Sequence, residues 1–183
     1  MDDETFRSSV GPNGVLRPGT ALSAPDPSQA YVVFAQRPDA RFELVQLRQN
    51  AERFFGTTLG LTIPKTYAGE WPDTDAAMVV LGPSAVPGGV RFCWGHPRGD
   101  AELDAAQAAE TRAGYSGMFD LARRCQTTWL IAVESSLDRT ALLLAAIFAS
   151  VLLGPILSPG GESLFGVRTA RMKLEESGDT YRR

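Results

Sequence analysis

The sequence predicts an α+β domain: a ferredoxin-like βαββαβ plait, extended by a C-terminal helix and a fifth strand. Three observations carry this. Short runs rich in β-branched, aromatic and other apolar residues recur at 31–35, 76–81 and 127–133. Between the last two, Val90, Phe92 and Trp94 alternate with Arg91, Cys93 and Gly95, the period of a half-buried strand. Segments with helical apolar spacing separate the first strand from the second and the third from the fourth. The resulting order is that of the split βαβ fold, a sheet with one covered face and two helices across it. A doubly wound α/β fold is the runner-up, but its repeated βα units have no place for the central hairpin.

Residues 1–29 are rich in Gly, Pro, Ser and Asp, so they read as a flexible arm before a single domain at 30–175 and a polar tail at 176–183. Tyr31 to Ala35 is the first strand. Asp39 is placed to cap a helix carrying Leu44, Leu47, Ala51 and Phe54/Phe55, which stops at Gly56. The stretch 57–75, with Pro64, Gly69, Trp71 and Pro72, is long for a connection and reads as a functional loop or the seat of a short strand. Ala76 to Leu81 and Val90 to Trp94 form a hairpin. Asp100 caps an alanine-rich helix that kinks or breaks at Gly114 and Gly117, since each glycine costs about 1 kcal/mol against alanine. Thr127 to Val133 is the clearest strand. A strongly apolar helix follows from about Leu137 to Leu153 and ends at Gly154-Pro155. Ala170, Met172 and Leu174 alternate with Arg171, Lys173 and Glu175, which predicts a final strand.

Composition bounds the function. The chain has 183 residues, 44% of them hydrophobic, enough to bury a core without metal or disulfide support. A net charge of −3 disfavours general nucleic-acid binding. Two cysteines, Cys93 and Cys125, exclude a disulfide framework and suit a reducing cytoplasm. Lysine occurs only at Lys65 and Lys173, and Ala, Gly and Pro are abundant, as in a GC-rich bacterial genome. The acidic start Met1-Asp2-Asp3-Glu4 lacks the basic and apolar regions of a secretory signal. Residues 140–161 carry no charge. The Gly-Pro stop leaves that helix short of a bilayer, and Arg168, Arg171 and Lys173 follow it, so no membrane span is expected. Its apolar surface belongs deep in the core, or in a homodimer contact through Leu142, Leu143, Ile147 and Phe148.

The most unusual stretch is Phe92-Cys93-Trp94-Gly95-His96-Pro97-Arg98-Gly99-Asp100, which joins the sole histidine to a thiol, an indole, a guanidinium and a carboxylate. Cys93 and His96 are the candidate catalytic pair, since a thiolate attack needs a nearby imidazole. The competing reading is a half-buried cysteine beside an exposed loop histidine, because adjacent strand residues face opposite ways. Cys93-x-x-His96 gives two metal ligands where a structural zinc site needs four, so no metal is expected. Neither a Walker lysine nor a Rossmann glycine spacing is present, and no cofactor is expected. Arg123-Arg124 and the Arg168, Arg171, Lys173 series are short basic groups, read as solvated faces or as a seat for an acidic partner. Trp71, Trp94 and Arg98 are the candidate partner-binding residues. The expected function is a cytoplasmic, non-catalytic protein-binding module, a regulator or immunity-type partner. The alternative is an enzyme using Cys93 or His96.

Overall fold

The structure, a computed structural model, describes residues 24–38, 44–62, 77–83, 91–135 and 138–179. Most of the N-terminal arm, the Asp39 cap, Trp71 and most of its loop, and the last four residues lie outside the described residues.

A 3₁₀ turn at Pro27–Gln29, capped by the Asp26 carboxylate on the Ser28 amide, leads into β1 (Ala30–Ala35). Helix α1 (Leu44–Phe55) ends at Gly56, whose φ of +60° is the left-handed stop that glycine permits. Then come β2 (Leu59–Thr62), β3 (Ala77–Pro83) and β4 (Arg91–Pro97). β2 is the short strand that the 57–75 stretch had room for. Helices α2 (Asp100–Ala113) and α3 (Met118–Arg124) precede β5 (Thr127–Ala132). Helix α4 (Arg139–Leu152), the two-residue strands β6 (Ile156–Leu157) and β7 (Leu164–Phe165), and α5 (Val167–Asp179) complete the chain.

The sheet has seven strands in the order β2-β3-β4-β5-β1-β6-β7, and every neighbouring pair is antiparallel. The fold is thus mixed α+β with the expected β3–β4 hairpin, but the plait order is not observed. In a plait, β1 would lie beside the third strand of the series. Here β5 lies between β4 and β1. Between β4 and β5 stand two helices, α2 and α3, where a plait has one. Gly114 and Gly117 take φ of +73° and +78°, so the two helices fold back on each other. Glu110 of α2 holds the turn by accepting from the Ser116 hydroxyl at 2.9 Å and the Phe119 amide at 3.0 Å. The chain leaves β4 at Pro97 and returns at Thr127, its register partner. A helical excursion that returns to its own sheet end delivers an adjacent antiparallel strand.

Both faces of the sheet are covered, which corrects the expected one-sided sheet. Strand parity sorts the residues. Val33, Ala35, Cys93, Trp129 and Ile131 pack with α1, α4 and α5. Val32, Phe34, Phe92, Trp94 and Leu130 pack with α2, α3, β6 and β7. The first core centres on Trp129 and Phe148, with ring centroids 5.3 Å apart. Trp129 lies so close over β4 that a Cβ on Gly95 would come within 2.6 Å of its ring.

Helix α4 lies between the sheet, α1 and α5. Leu142, Ile147 and Phe148 are buried within the chain and Leu143 is half-buried, so its own layers cover the surface assigned to a homodimer. Its length is about 21 Å at 1.5 Å per residue, against a hydrocarbon core of about 30 Å. Among the described residues, no helix is long and apolar enough to cross a membrane.

The expected final strand is instead the centre of α5. Ala170 and Leu174 are buried one helical turn apart, and Met172 is 51% exposed. Ala-Arg-Met-Lys-Leu-Glu-Glu is a run of strong helix formers, and an i, i+4 apolar pair also reads as alternation over five residues. Regular structure continues past 175 to Asp179.

Candidate functional site

The stretch from Phe92 to Asp100 forms β4 and the start of α2. Parity separates its two reactive side chains. Cys93 faces the α1, α4 and α5 layer, while His96 is in register with Thr128 and contacts Glu102 of α2. The sheet therefore stands between thiol and imidazole. Cys93 is fully buried, not half-buried, and burial pushes its thiol far above the usual cysteine range, although the charge of Arg91 pulls the other way. Cys125 belongs to the opposite core; burial pushes its thiol up to about 11, against the pull of the Arg98 charge. The two thiols lie on opposite sides of the sheet.

His96 belongs to β4 and not to a loop, and its side chain is about one quarter exposed. Its Nε2 is 3.1 Å from Glu102 Oε1 and 3.3 Å from the Thr128 hydroxyl. Its Nδ1 is 2.8 Å from the Pro97 carbonyl oxygen. Both ring nitrogens thus face acceptors, and only the doubly protonated ring can donate to both. Glu102 accepts from the Gly99 amide at 2.8 Å and from Thr128 at 3.0 Å. Burial works to raise its carboxyl, but the bonds from His96, Gly99 and Thr128 and the His96 charge bring it below its ordinary value. The helix cap is therefore Gly99 and not Asp100, with Glu102 folded back on the Gly99 amide. This cluster ties β4, β5 and α2 together. A general base needs a nitrogen directed at a substrate proton, and both nitrogens of His96 are engaged within the fold.

Arg98 continues from β4, its amide bonded to the Gln126 carbonyl at 2.9 Å. Its Nε and Nη1 are buried and have no hydrogen-bond partner among the described residues. Trp94 is buried in the core beneath α2, and only 7% of it is exposed.

A second polar cluster lies at the opposite end of β4. Arg91 forms a bidentate pair with Asp138, Nε to Oδ2 at 2.7 Å and Nη2 to Oδ1 at 3.0 Å, and also reaches Glu134 at 3.3 Å. Asp138 caps α4 through the Ala141 amide at 2.9 Å and accepts from the Glu134 amide at 3.0 Å. Burial opposes its charge, yet these bonds and Arg91 hold its carboxyl below the ordinary value. Sequence reading missed both clusters, because Thr128, Glu102, Asp138 and Arg91 meet only through strand pairing and caps.

Polar groups that are not consumed in this way lie on the outer face of α5. Arg168, Arg171, Met172 and Glu175 recur at i, i+3, i+4 and i+7, so they share one face. With Val167 they line an open groove of about 360 Å³. Arg171 stacks 6.0 Å from the Phe55 ring of α1, and the other side of the helix is anchored by Ala170 and Leu174. Of the basic series read from the sequence, Arg168 and Arg171 line this groove, while Lys173 stands 5.4 Å over the Phe165 ring. Among the described residues, no three His, Cys, Asp or Glu side chains group to hold a metal ion. No family model, no curated protein and no solved structure matches the chain.

Proposed function

We propose that this chain is a non-catalytic protein-binding module of the cytoplasm, a regulator or immunity-type partner, and that the outer face of α5 is its binding surface. One observation carries the reading: Met172 is half exposed beside Arg168 and Arg171, over an open groove, on a helix whose opposite side is fixed in the core. Methionine adapts its shape to a partner, and arginine is enriched at interface anchors. A rigid support lowers the entropy cost of binding. The engagement of His96, Glu102 and Asp138 inside the fold, and the burial of both thiols, add support, because a thiol enzyme needs an accessible thiolate.

Affinity capture from the source cell tests this. Met172→Glu and Arg168→Glu should each abolish capture of a partner that Arg123→Glu, on α3, leaves bound. Capture that is indifferent to the α5 substitutions would overturn the assignment.

A further inference from the structure

The outer face of α5 carries opposite charges at its two ends. Arg168 stands near the N-terminal end, Arg171 and Met172 at the middle and Glu175 towards the C-terminal end. Arg168 and Glu175 are exposed and form no ion pair or hydrogen bond among the described residues. They lie about 10 Å apart along the axis at 1.5 Å per residue, too far to pair with each other. Arg171 stacks against the Phe55 ring of α1, 6.0 Å from its centroid, and Met172, 51% exposed, is the apolar centre of the face. Ala170 and Leu174 hold the far side of the helix in the core, so the face is rigid.

A face that reads base, thioether, acid along one helix is self-complementary when a second copy lies on it antiparallel. With the two-fold axis between positions 171 and 172, Arg168 of each chain meets the partner's Glu175, and the two Met172 side chains meet at the axis. Guanidinium groups bind carboxylates through charge-assisted, forked hydrogen bonds, and methionine shapes itself to an apolar neighbour. The charges also fix the register. A slide of seven residues either way sets Arg168 on Arg168 or Glu175 on Glu175, and a parallel pair opposes both like charges at once.

We propose that α5 pairs antiparallel with α5 of a second copy of this chain, through two reciprocal Arg168–Glu175 ion pairs around a Met172–Met172 contact. The helix is about 20 Å long, so the dimer belongs to the small, transient class of interfaces. This rests on the reading of the outer α5 face as the binding surface and adds its regulation: self-association covers the face, and a partner protein binds the monomer.

The test is sedimentation velocity of the full chain at low salt, up to about 1 mM, where a Kd of that order still populates dimer. Wild type should pass from monomer to dimer as concentration rises, and added salt should reverse this. Arg168→Glu and Glu175→Arg should each weaken the dimer about tenfold or more, because each turns two attractions into two repulsions. The double variant Arg168→Glu/Glu175→Arg restores both pairs and should dimerise like wild type. An equimolar mixture of the two single variants should form a heterodimer that neither forms alone, since every introduced acid then faces a base. Melting temperatures equal to that of wild type show that each variant is folded. Wild type that stays monomeric, or a dimer indifferent to both charge reversals, would overturn the pairing. A monomeric wild type whose partner capture still depends on Arg168 and Met172 would sink only the dimer. Dimerisation that follows the charge pattern, with capture indifferent to α5, would support the dimer and remove only the other partner from this face.

Discussion

Asp138 is the residue on which most local structure converges, since it pairs Arg91, caps α4 and fixes the Glu134 turn. Asp138→Ala removes both the bidentate partner of the buried Arg91 guanidinium, which keeps its contact with Glu134, and the α4 cap, and should cost about 3 kcal/mol, measured by urea unfolding. The pH dependence has a definite sign. The carboxyls of Asp138 and Glu102 are held below their ordinary values of 3.8 and 4.5, so the folded protein binds their protons less tightly than the unfolded chain does. The stability they confer is complete above the ordinary values and is lost as pH falls through the folded-state values. The melting temperature should fall as the pH drops through the carboxylate range, more shallowly in Asp138→Asn. Arg98 has the opposite balance. Its Nε and Nη1 are buried without partners among the described residues, so Arg98→Met should be neutral or should stabilise by about 1 kcal/mol. Both thiols are buried, and dithionitrobenzoate should leave them unreacted in the native state and titrate both in urea. Rapid native reaction at Cys93 would support the thiol-enzyme alternative.

Among the elements, most helices and strands were legible because their signals are local. The Leu47 and Ala51 spacing, the Gly56 stop, the Gly154-Pro155 stop and the β-branched runs act within a few residues. β6 and β7 were not legible. Each has two residues, and they pair only because β1 offers an edge and Ser158 and Ser163 close the turn between them. α5 was misread because five residues cannot separate a period of two from a helical i, i+4 pair, although their helix propensities point the right way. At β4, Gly95 is set by Trp129 on the neighbouring strand. Gly95→Ala should destabilise by about 1–3 kcal/mol through overpacking, with a shift in tryptophan fluorescence as a second readout. Met172→Glu on α5 should change stability by no more than about 0.5 kcal/mol, which keeps it usable as a binding probe.

At the scale of the whole molecule, an antiparallel sheet lies between two helical layers, α1, α4 and α5 on one face and α2 and α3 on the other. Burial on both faces explains why β1 and β5 read as nearly continuous apolar runs, and why α4 is apolar nearly all round without a membrane or a second copy to cover it. Among the described residues both cores begin at β1, with Ala30 and Val33. Removal of residues 1–23 should leave the melting temperature within about 3 °C, a shift of under 1 kcal/mol for a domain of this size, as calorimetry would show. A larger loss would mean that the segment contributes to the core.

The sequence by itself determined the class, the positions of most elements, the β3–β4 hairpin and the break at Gly114 and Gly117, because propensity, capping and periodicity act over a few residues. The tertiary structure alone decided the strand order and the second covered face. Those depend on which end of the sheet a helical excursion returns to, and a glycine break does not encode the direction of that return. It also decided that the histidine meets Glu102 and Thr128. Such partners lie on other elements: strand register brings Thr128, and the folded-back first turn of α2 brings Glu102, within hydrogen-bond distance.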